Sequence, residues 1–323
     1  MRENQSRAGL IDVLLLLVAA VWGSTYLAVK ELVTPATVVA VLALRFVVTA
    51  AAMLPLALRR LRGAGRGEIV TGALLGLILA VIFAFETFGV AHTTATNAGL
   101  IISLTIVMTP LLESSVSRSW LPARFFLAAV MAVVGVGLLA SRSGLHAPTL
   151  GDWLILAAAA IRAVHVTVMH RRSAGKAYDS LSLTFIQLTT AAVLFCLAGP
   201  LVRGSAVSLA TLVSRLGPVQ WADLLYLALI CTVFAFVVQT WAVRTTSPSR
   251  VSLLLGTEPV WALLVGVLLG GDHLGLYGAI GAVLIVVGAG WGQRIERRHR
   301  EGRQGQPPVV SEAPEDQAAA QPA

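Results

Sequence analysis

Charged residues are scarce in this chain of 323 residues, of which only 12% are charged and 57% are hydrophobic. Soluble domains usually carry about twice that share of charge. The mean hydropathy is +0.82. A chain of this length with so little polar surface is expected to lie in a lipid bilayer. The composition therefore predicts a polytopic membrane protein and gives no sign of a large extramembrane domain.

Cysteine is nearly absent as well. Cys196 and Cys231 each lie in an apolar run and form no CxxC pair, so neither a disulfide framework nor a zinc site is supported. The catalytic motifs HExxH and GxSxG are also missing, although a membrane-embedded hydrolase would need a metal cluster or an activated nucleophile. We therefore expect no metal, no cofactor and no enzymatic activity.

Long apolar runs are what the sequence does contain. A membrane-spanning helix takes roughly 20 predominantly apolar residues. Residues 1–10 precede the first span, and from 301 to 323 the sequence turns to Gln, Pro, Glu and Ala, which predicts a disordered cytoplasmic tail. The predicted fold class is an all-α polytopic membrane protein with ten transmembrane helices, at residues 11–30, 35–58, 69–91, 96–115, 122–140, 150–170, 178–201, 221–243, 250–270 and 275–293.

Lysine and arginine are unevenly distributed among the predicted loops. If the N-terminus is cytoplasmic, most of the 24 Lys and Arg residues lie on the cytoplasmic side, and only Lys30, Arg142, Arg203 and Arg215 lie on the other. By the positive-inside rule, we expect both termini in the cytoplasm and a multi-pass protein of the cytoplasmic membrane. The formal charge of +8 then reflects loop arginines, so lipid is the expected partner and nucleic acid is not.

The two halves of the chain resemble each other. At a shift of 153 residues the spaced matches include Thr87, Thr93, Gly135 and Gly137, which fall on Thr240, Thr246, Gly288 and Gly290. We interpret residues 11–140 and 150–293 as two five-helix repeats. Because five is an odd number, the second repeat must enter the membrane from the opposite side. Inverted repeats of this kind are typical of alternating-access carriers, whose site lies at the midplane between the halves.

Three motifs carry a further likeness: AAVWGSTYLAVK (residues 19–30), LRF (Leu44–Phe46) and SRVSLLLGTEPVWALLVGVLLGGD (Ser249–Asp272). With the ten spans, they resemble the drug/metabolite transporter superfamily, specifically its EamA-like members, over nearly all of residues 10–293. Two positions depart from the family pattern. Ile106 stands where the family often has proline, with Pro110 four residues later, and Asp272 stands where the family usually has glutamate.

The resemblance implies a carrier for small organic solutes, such as amino acids, other metabolites or drug-like compounds, and transport is frequently outward in the family. Members include proton-coupled exporters, exchangers and facilitators, so a proton is a candidate second partner. The alternatives are a membrane-embedded enzyme, a channel or a scaffold protein. A channel would call for a repeated pore ring, whereas two inverted halves favour a carrier.

Glu258 is a carboxylate inside an apolar run and is followed by Pro259. Charge is costly at that depth, so an intramembrane acid is a functional candidate, here a proton carrier or an anchor for a substrate amine. Proline lacks an N–H and would free the carbonyl of Leu255 at a helix bend, and Pro110 is a second candidate bend. Trp261 shares the face of Glu258 and would line a cavity or the core. The structural alternative for Glu258 is an ion pair that only fixes packing.

Arg45 and Arg162 are the two cations inside predicted spans. An arginine at the bilayer centre costs roughly 2.5–3.5 kcal/mol on the translocon scale, so each should face a polar interior and have a partner. A substrate carboxylate would suit a guanidinium, since it accepts two parallel hydrogen bonds. The acids Glu86 and Glu258 could instead form a structural ion pair with one of them. His165 lies on the same helical face as Arg162 and could relay protons or simply pack.

Further polar side chains lie in the predicted spans. Glu86 and its repeat counterpart Gln239 fall in opposite halves of the membrane, which would suit corresponding gates on opposite sides. Short polar side chains in helices often bond their own backbone, so each remaining position is a weak signal alone. The candidate cavity-lining residues among them are Trp22, Ser24, Thr25 and Tyr26 in span one, Asn97 in span four and Gln187, the repeat counterpart of Arg45.

Spans five and ten carry small residues at helical spacing. Gly288 and Gly292 form GxxxG, and Ala128 and Ala132 repeat the pattern in span five. Small residues let helices approach closely in membranes. We expect these spans at the periphery, packed against the rest of the bundle or against a second copy in a homodimer.

Overall fold

The computed structural model describes residues 2–93, 95–118, 120–140, 149–199, 208–269 and 275–304. Within these ranges the regular structure is entirely helical. Fourteen α-helices and one π-helical stretch, here called the π segment (Tyr226–Phe234), follow one another. The helices are α1 (Arg2–Leu32), α2 (Val38–Leu61), α3 (Arg66–His92), α4 (Ala95–Ile102), α5 (Thr105–Ser117), α6 (Ala123–Ala140), α7 (Leu150–Ser173), α8 (Ser180–Ala198), α9 (Leu209–Arg215), α10 (Pro218–Leu225), α11 (Ala235–Thr245), α12 (Pro248–Leu255), α13 (Glu258–Leu269) and α14 (Leu276–Gln304).

Five described helical stretches are long and apolar enough to cross a bilayer: Val38–Leu61, Arg66–His92, Leu150–Ser173, Ser180–Ala198 and Pro218–Thr245. The last of these joins α10, the π segment and α11. Shorter apolar stretches, Gly9–Thr25 and Ala123–Gly135, lie in α1 and α6. The predicted all-α, multi-pass class is therefore confirmed, while the number of spans stays a prediction. Of the predicted tail, residues 305–323 lie outside the described residues.

Predicted spans four and nine are each broken in two. Ser103 and Leu104 separate α4 from α5, and Gly256 and Thr257 separate α12 from α13, at the spacing of the proposed repeat. Each break is closed by the same short backbone bond three residues back, from Leu104 N–H to the carbonyl of Ile101 and from Thr257 N–H to that of Leu254. These shorter bonds tighten the chain locally and change its direction.

The breaks lie beside the predicted prolines and not at them. Pro259 falls in the first turn of α13, where a missing N–H costs nothing because that group has no partner within the helix. Pro110 lies inside α5, beyond the first break. The first half therefore breaks without a proline at the position equivalent to Pro259, so the break belongs to both halves.

The two halves interlock within one core. α2 packs on α8, and α3 packs on both α7 and α8. Close approach needs glycine at Gly76 of α3, where a Cβ would meet the backbone of Gln187 and the side chain of Thr190 in α8. The cavities described below therefore lie between helices of the two halves.

α6 and α14 form a pair. A Cβ at Gly288 would lie 2.8 Å from the carbonyl oxygen of Ala128 and 3.2 Å from the Cβ of Ala132. The small residues of the predicted dimer motif are therefore used for packing within one protomer. A homodimer through these spans stays a prediction, and it would have to use their outward residues, among them Leu127, Val130, Val134, Val283, Val286 and Val287.

Candidate functional site

A cavity opens between α1, α2, α3, α7 and α13. Its lining combines four ionisable side chains with aromatic and aliphatic ones, a mixture that suits recognition of a small polar solute. The residues around this first cavity are Trp22, Thr25, Val29, Arg45, Phe83, Glu86, Thr87, Val90, Arg162 and Glu258.

Arg162 lies between the two acids of the first cavity. One of its terminal nitrogens is 3.7 Å from Glu86 Oε2 and the other is 3.9 Å from Glu258 Oε2. These distances are those of charge pairs and exceed hydrogen-bond lengths. The guanidinium also stacks on the ring of Trp22, 4.7 Å from its centroid, a cation–π contact that strengthens when water is excluded. The arginine thus joins α7 to α1, α3 and α13.

Arg45 has a different environment. Its Nε donates to the hydroxyl of Thr232 at 2.9 Å, and its guanidinium lies 5.0 Å from the centroid of Phe83. The residue is 7% exposed. In the described part of the chain, no ion pair within 4.0 Å joins it to a carboxylate. A buried cation that lines a cavity without such a partner is suited to an anionic group of a solute.

A second cavity lies on the other side of Arg162 and Glu258, which line both cavities. The other residues around it are Ile102, Ser103, Thr105, Thr109, Val166, Gln239, Ser252, Leu255 and Gly256. Both helix breaks thus border it. The Arg162–Glu258 pair and the start of α13 separate the two cavities.

The cavities extend towards opposite ends of the bundle. We call the end where α1 begins the lower end. Asp12 of α1 pairs with Arg250 at the start of α12, so α12 also begins there and Ser252 marks the lower side of the second cavity. The first cavity follows α1 in the other direction, to Val29.

Three contacts hold the start of α12 at the lower end, and we call them the lower latch. Arg250 bonds both carboxylate oxygens of Asp12, at distances of 2.7 to 3.0 Å. The amide N–H and hydroxyl of Ser249 donate to Glu113 of α5. The hydroxyl of Ser247 donates to Glu296 of α14 at 2.6 Å. The latch therefore lies below the second cavity.

Six of the predicted site residues lie at the first cavity: Trp22, Thr25, Arg45, Glu86, Arg162 and Glu258. Gln239 lies at the second cavity, so Glu86 and its predicted repeat counterpart border different cavities. Asn97 and Tyr26 have side chains outside the described residues.

Four predicted residues lie apart from the described cavity linings. Gln187 donates to the hydroxyl of Thr240 at 3.0 Å, and the hydroxyl of Ser24 lies 2.6 Å from that of Tyr226. The indole of Trp261 donates to the hydroxyl of Thr257 at 3.3 Å. His165 is 1% exposed and contacts Gln187. Gln187, Ser24 and His165 thus contact neighbouring helices, and Trp261 bonds the residue that precedes α13.

Phe83, Thr232 and the lower latch were not predicted. A single phenylalanine or threonine in an apolar span gives no signal by itself. For the latch, a signal was available, because Asp12 and Arg250 are opposite charges at the edges of predicted spans. What the sequence does not show is that these edges, distant along the chain, meet.

The fold and the cavities define a class. Large apolar side chains such as Leu56, Leu197 and Val283 are more than half exposed on the outside of the bundle, whereas charged side chains line cavities inside it. In water such a surface would be unstable, and in lipid it is expected. The protein is a multi-pass membrane protein with a polar interior site, as a transporter requires.

Comparison with known proteins narrows this class. The profile of the EamA-like transporter family matches residues 9–141 and again residues 149–291. The chain therefore belongs to the EamA-like transporter family, and the predicted resemblance to the drug/metabolite transporters is confirmed.

Individual relatives agree with this assignment. An uncharacterized transporter of Archaeoglobus fulgidus is 27% identical over 277 residues, which cover 85% of this chain and 83% of the relative. Another uncharacterized transporter of the same organism is 26% identical over 220 residues, 67% of this chain and 72% of the relative. A solved crystal structure that is 22% identical aligns with a TM-score of 0.70 over 91% of this chain and 99% of its own, which supports the fold. The protein is a membrane transporter.

Proposed function

We propose that the protein is a secondary transporter that moves a small organic solute across the cytoplasmic membrane by alternating access. The observation that carries this proposal is the position of Arg162 and Glu258, which border a cavity on each side. In alternating access, one central site is exposed to the two sides of the membrane in turn. Two cavities that share the charged pair Arg162 and Glu258 fit this requirement.

The charges around the first cavity favour a zwitterionic solute such as an amino acid. Arg45 is available for a carboxylate, as described above. Glu86 and Glu258 line the same cavity, 3.7 and 3.9 Å from the guanidinium of Arg162, and a carboxylate in a cavity is suited to an amine of the solute. An aromatic wall from Trp22 and Phe83 would contact the apolar part of the solute. Other metabolites or drug-like compounds with the same two charges would also fit.

Glu258 is the proposed proton carrier. It is 5% exposed and borders both cavities, so a proton could reach it from either side without a further relay. Gating by Glu86 and Gln239 fits their places at opposite cavities. For His165, which lies apart from the described cavity linings, we propose at most an indirect role.

Direction and orientation complete the proposal. Efflux is the direction that the family resemblance favours, and cytoplasmic termini are what the loop charges favour. With that orientation, the lower latch would close the cytoplasmic side.

The proposal is tested by counterflow in proteoliposomes. Purified protein is reconstituted, vesicles are loaded with one unlabelled member of a panel of the twenty proteinogenic amino acids and other common metabolites, and uptake of the same labelled compound is followed. A carrier gives transient accumulation that saturates and requires internal solute. Linear, non-saturating flux would indicate a channel, and no flux with any compound would favour an enzyme or a scaffold. Either result overturns the proposal.

A further inference from the structure

The π segment interrupts the regular hydrogen bonding of a long apolar helix. The N–H of Ala235 donates to the carbonyls of Ile230 and Thr232, and not to that of Cys231, its partner in an ideal α-helix. π-Helical turns are uncommon, and they occur frequently at functional sites. Contacts between the side chains and carbonyls of this segment and the cavity are therefore of functional interest.

Hydrogen bonds connect the π segment to the cavity helices. The indole N–H of Trp22 donates to the carbonyl of Cys231 at 2.9 Å. Arg45 Nε donates to the hydroxyl of Thr232 at 2.9 Å. The hydroxyls of Tyr226 and Ser24 lie 2.6 Å apart. The aromatic platform under Arg162 and the guanidinium of Arg45 are thus both held from the same irregular turn.

The hydroxyl of Thr232 already uses its proton in a hydrogen bond within its own helix. It donates to the carbonyl of Leu227, five residues earlier, at 2.7 Å, whereas a helical threonine ordinarily bonds the carbonyl three or four residues back. Because a hydroxyl carries one proton, its oxygen meets Arg45 only as an acceptor. This accepting geometry is fixed by the wider turn of the π segment.

We propose that Thr232 is a positioning residue for Arg45 and thereby sets the preference for carboxylate-bearing solutes. This inference rests on the proposed function. With Nε held by Thr232 and one ring contact to Phe83, the guanidinium plane is oriented before solute arrives. Its two terminal amino groups then remain for two parallel bonds to a carboxylate. Pre-orientation raises affinity because less side-chain freedom is lost on binding.

The test compares Thr232→Val, which keeps the shape and removes the hydroxyl, with Thr232→Ser, which keeps the hydroxyl. The probes are the twenty proteinogenic amino acids and, for each one bound, its primary amide, which lacks the carboxylate charge. For Thr232→Val we expect Kd for the amino acid to rise about tenfold, the loss of roughly one hydrogen bond to a charged group, with Kd for the amide unchanged. Thr232→Ser should stay within about twofold of the unmodified protein.

Thr184→Val is the matched control, since Thr184 is buried and its hydroxyl bonds the carbonyl of Ser180 in its own helix. It should leave both affinities unchanged. The inference is overturned if Thr232→Val binds like the unmodified protein, if it loses amino acid and amide equally, or if Thr232→Ser behaves like Thr232→Val.

Arg45→Ala separates failure of this inference from failure of the proposed function. If Arg45→Ala loses amino-acid binding while Thr232→Val retains it, Arg45 binds the carboxylate without help and only the positioning role fails. If the unmodified protein binds none of the twenty amino acids, the proposed zwitterionic solute fails and the inference fails with it.

Discussion

Arg162 lies between two carboxylates of an apolar interior, at charge-pair distance from each. Breaking a buried charge pair by removing one member is strongly unfavourable, because the remaining charge loses its partner. The long separations, 3.7 and 3.9 Å, suggest a pair that can be exchanged for contacts with a solute. Glu86 supports this view, since its Oε2 is buried and makes no hydrogen bond among the described residues.

Replacing Glu258 tests the proton pathway. In Glu258→Gln the side chain keeps its size but can no longer carry a proton, so solute flux should lose its dependence on pH while solute exchange continues. The measurement is flux into proteoliposomes across a range of external pH. Glu86→Gln is the matched variant, because it removes the other acid of the same ion triad and should leave the pH dependence in place.

Retained pH dependence in Glu258→Gln would reduce Glu258 to a packing role. If only Glu86→Gln loses the pH dependence, Glu86 and not Glu258 is the proton carrier.

At the scale of elements, the second helix break packs against the helix that follows the first break. A Cβ at Gly256 would collide with the side chain of Ile106, so the second break packs directly against the first turn of α5. Both residues are fully or almost fully buried. This contact brings the equivalent irregular points of the two halves together beside the second cavity.

Gly256→Ala should destabilise the protein by about 1–3 kcal/mol, the usual cost of forcing a methyl group into a packed core. Removing the opposing side chain in the double variant Gly256→Ala/Ile106→Ala should restore part of that loss. Thermal unfolding in detergent measures the effect. Gly290→Ala is the control, since no atom lies within 4 Å of a Cβ there, and its melting temperature should not fall.

Equal melting temperatures for Gly256→Ala and Gly290→Ala would contradict the close contact at the break.

The lower latch is also a contact between elements, and we expect it to control access to the second cavity. Arg250→Ala removes the two-pronged bond to Asp12, and the start of α12 should leave α1 more readily. With a hydrogen-bonded charge pair worth roughly 1.5–3 kcal/mol, the open population should increase about tenfold or more. The measurement is the rate at which a polar maleimide labels Thr109→Cys in the second cavity, in a Cys196→Ala background.

Arg60→Ala is the matched control for the latch. Arg60 pairs with Asp179 at 3.2 Å, but its side chain is 61% exposed, and exposed pairs contribute little. Labelling should be unchanged in this variant. If Arg250→Ala also labels at the original rate, the Asp12–Arg250 pair does not control access.

On the scale of the whole molecule, the loop charges and the direction of the helices make one joint prediction. Thr34, in the exposed link between α1 and α2, should face the outside, and Arg62, in the exposed link between α2 and α3, should face the cytoplasm. In intact cells, an impermeant maleimide should label Thr34→Cys but not Arg62→Cys, in a Cys196→Ala background. The reverse pattern would invert the proposed orientation and place the lower latch outside.

Much of the architecture could be predicted from the chain because its signals are local. Apolar runs near Val38–Leu61 or Ser180–Ala198 are visible without knowledge of their neighbours, and a charge inside such a run, as at Arg45, Glu86, Arg162 and Glu258, is visible for the same reason. The cost of charge in lipid makes these few residues candidates wherever the chain folds. The family motifs gave the class of protein from the same local information.

The sequence by itself therefore determined a helical membrane transporter with four charged candidates for its site. The tertiary structure alone decided their roles: the acids lie 3.7 and 3.9 Å from Arg162, whereas Arg45 donates a hydrogen bond to Thr232. It also decided that a helix break occurs in each half of the chain and that Asp12 pairs with Arg250. The hydrogen bonds from the π segment to Trp22 and Arg45 are visible only there as well. The physical reason is that each of these facts is a contact between residues far apart in the chain, and local hydrophobicity and charge carry no information about which distant side chains meet.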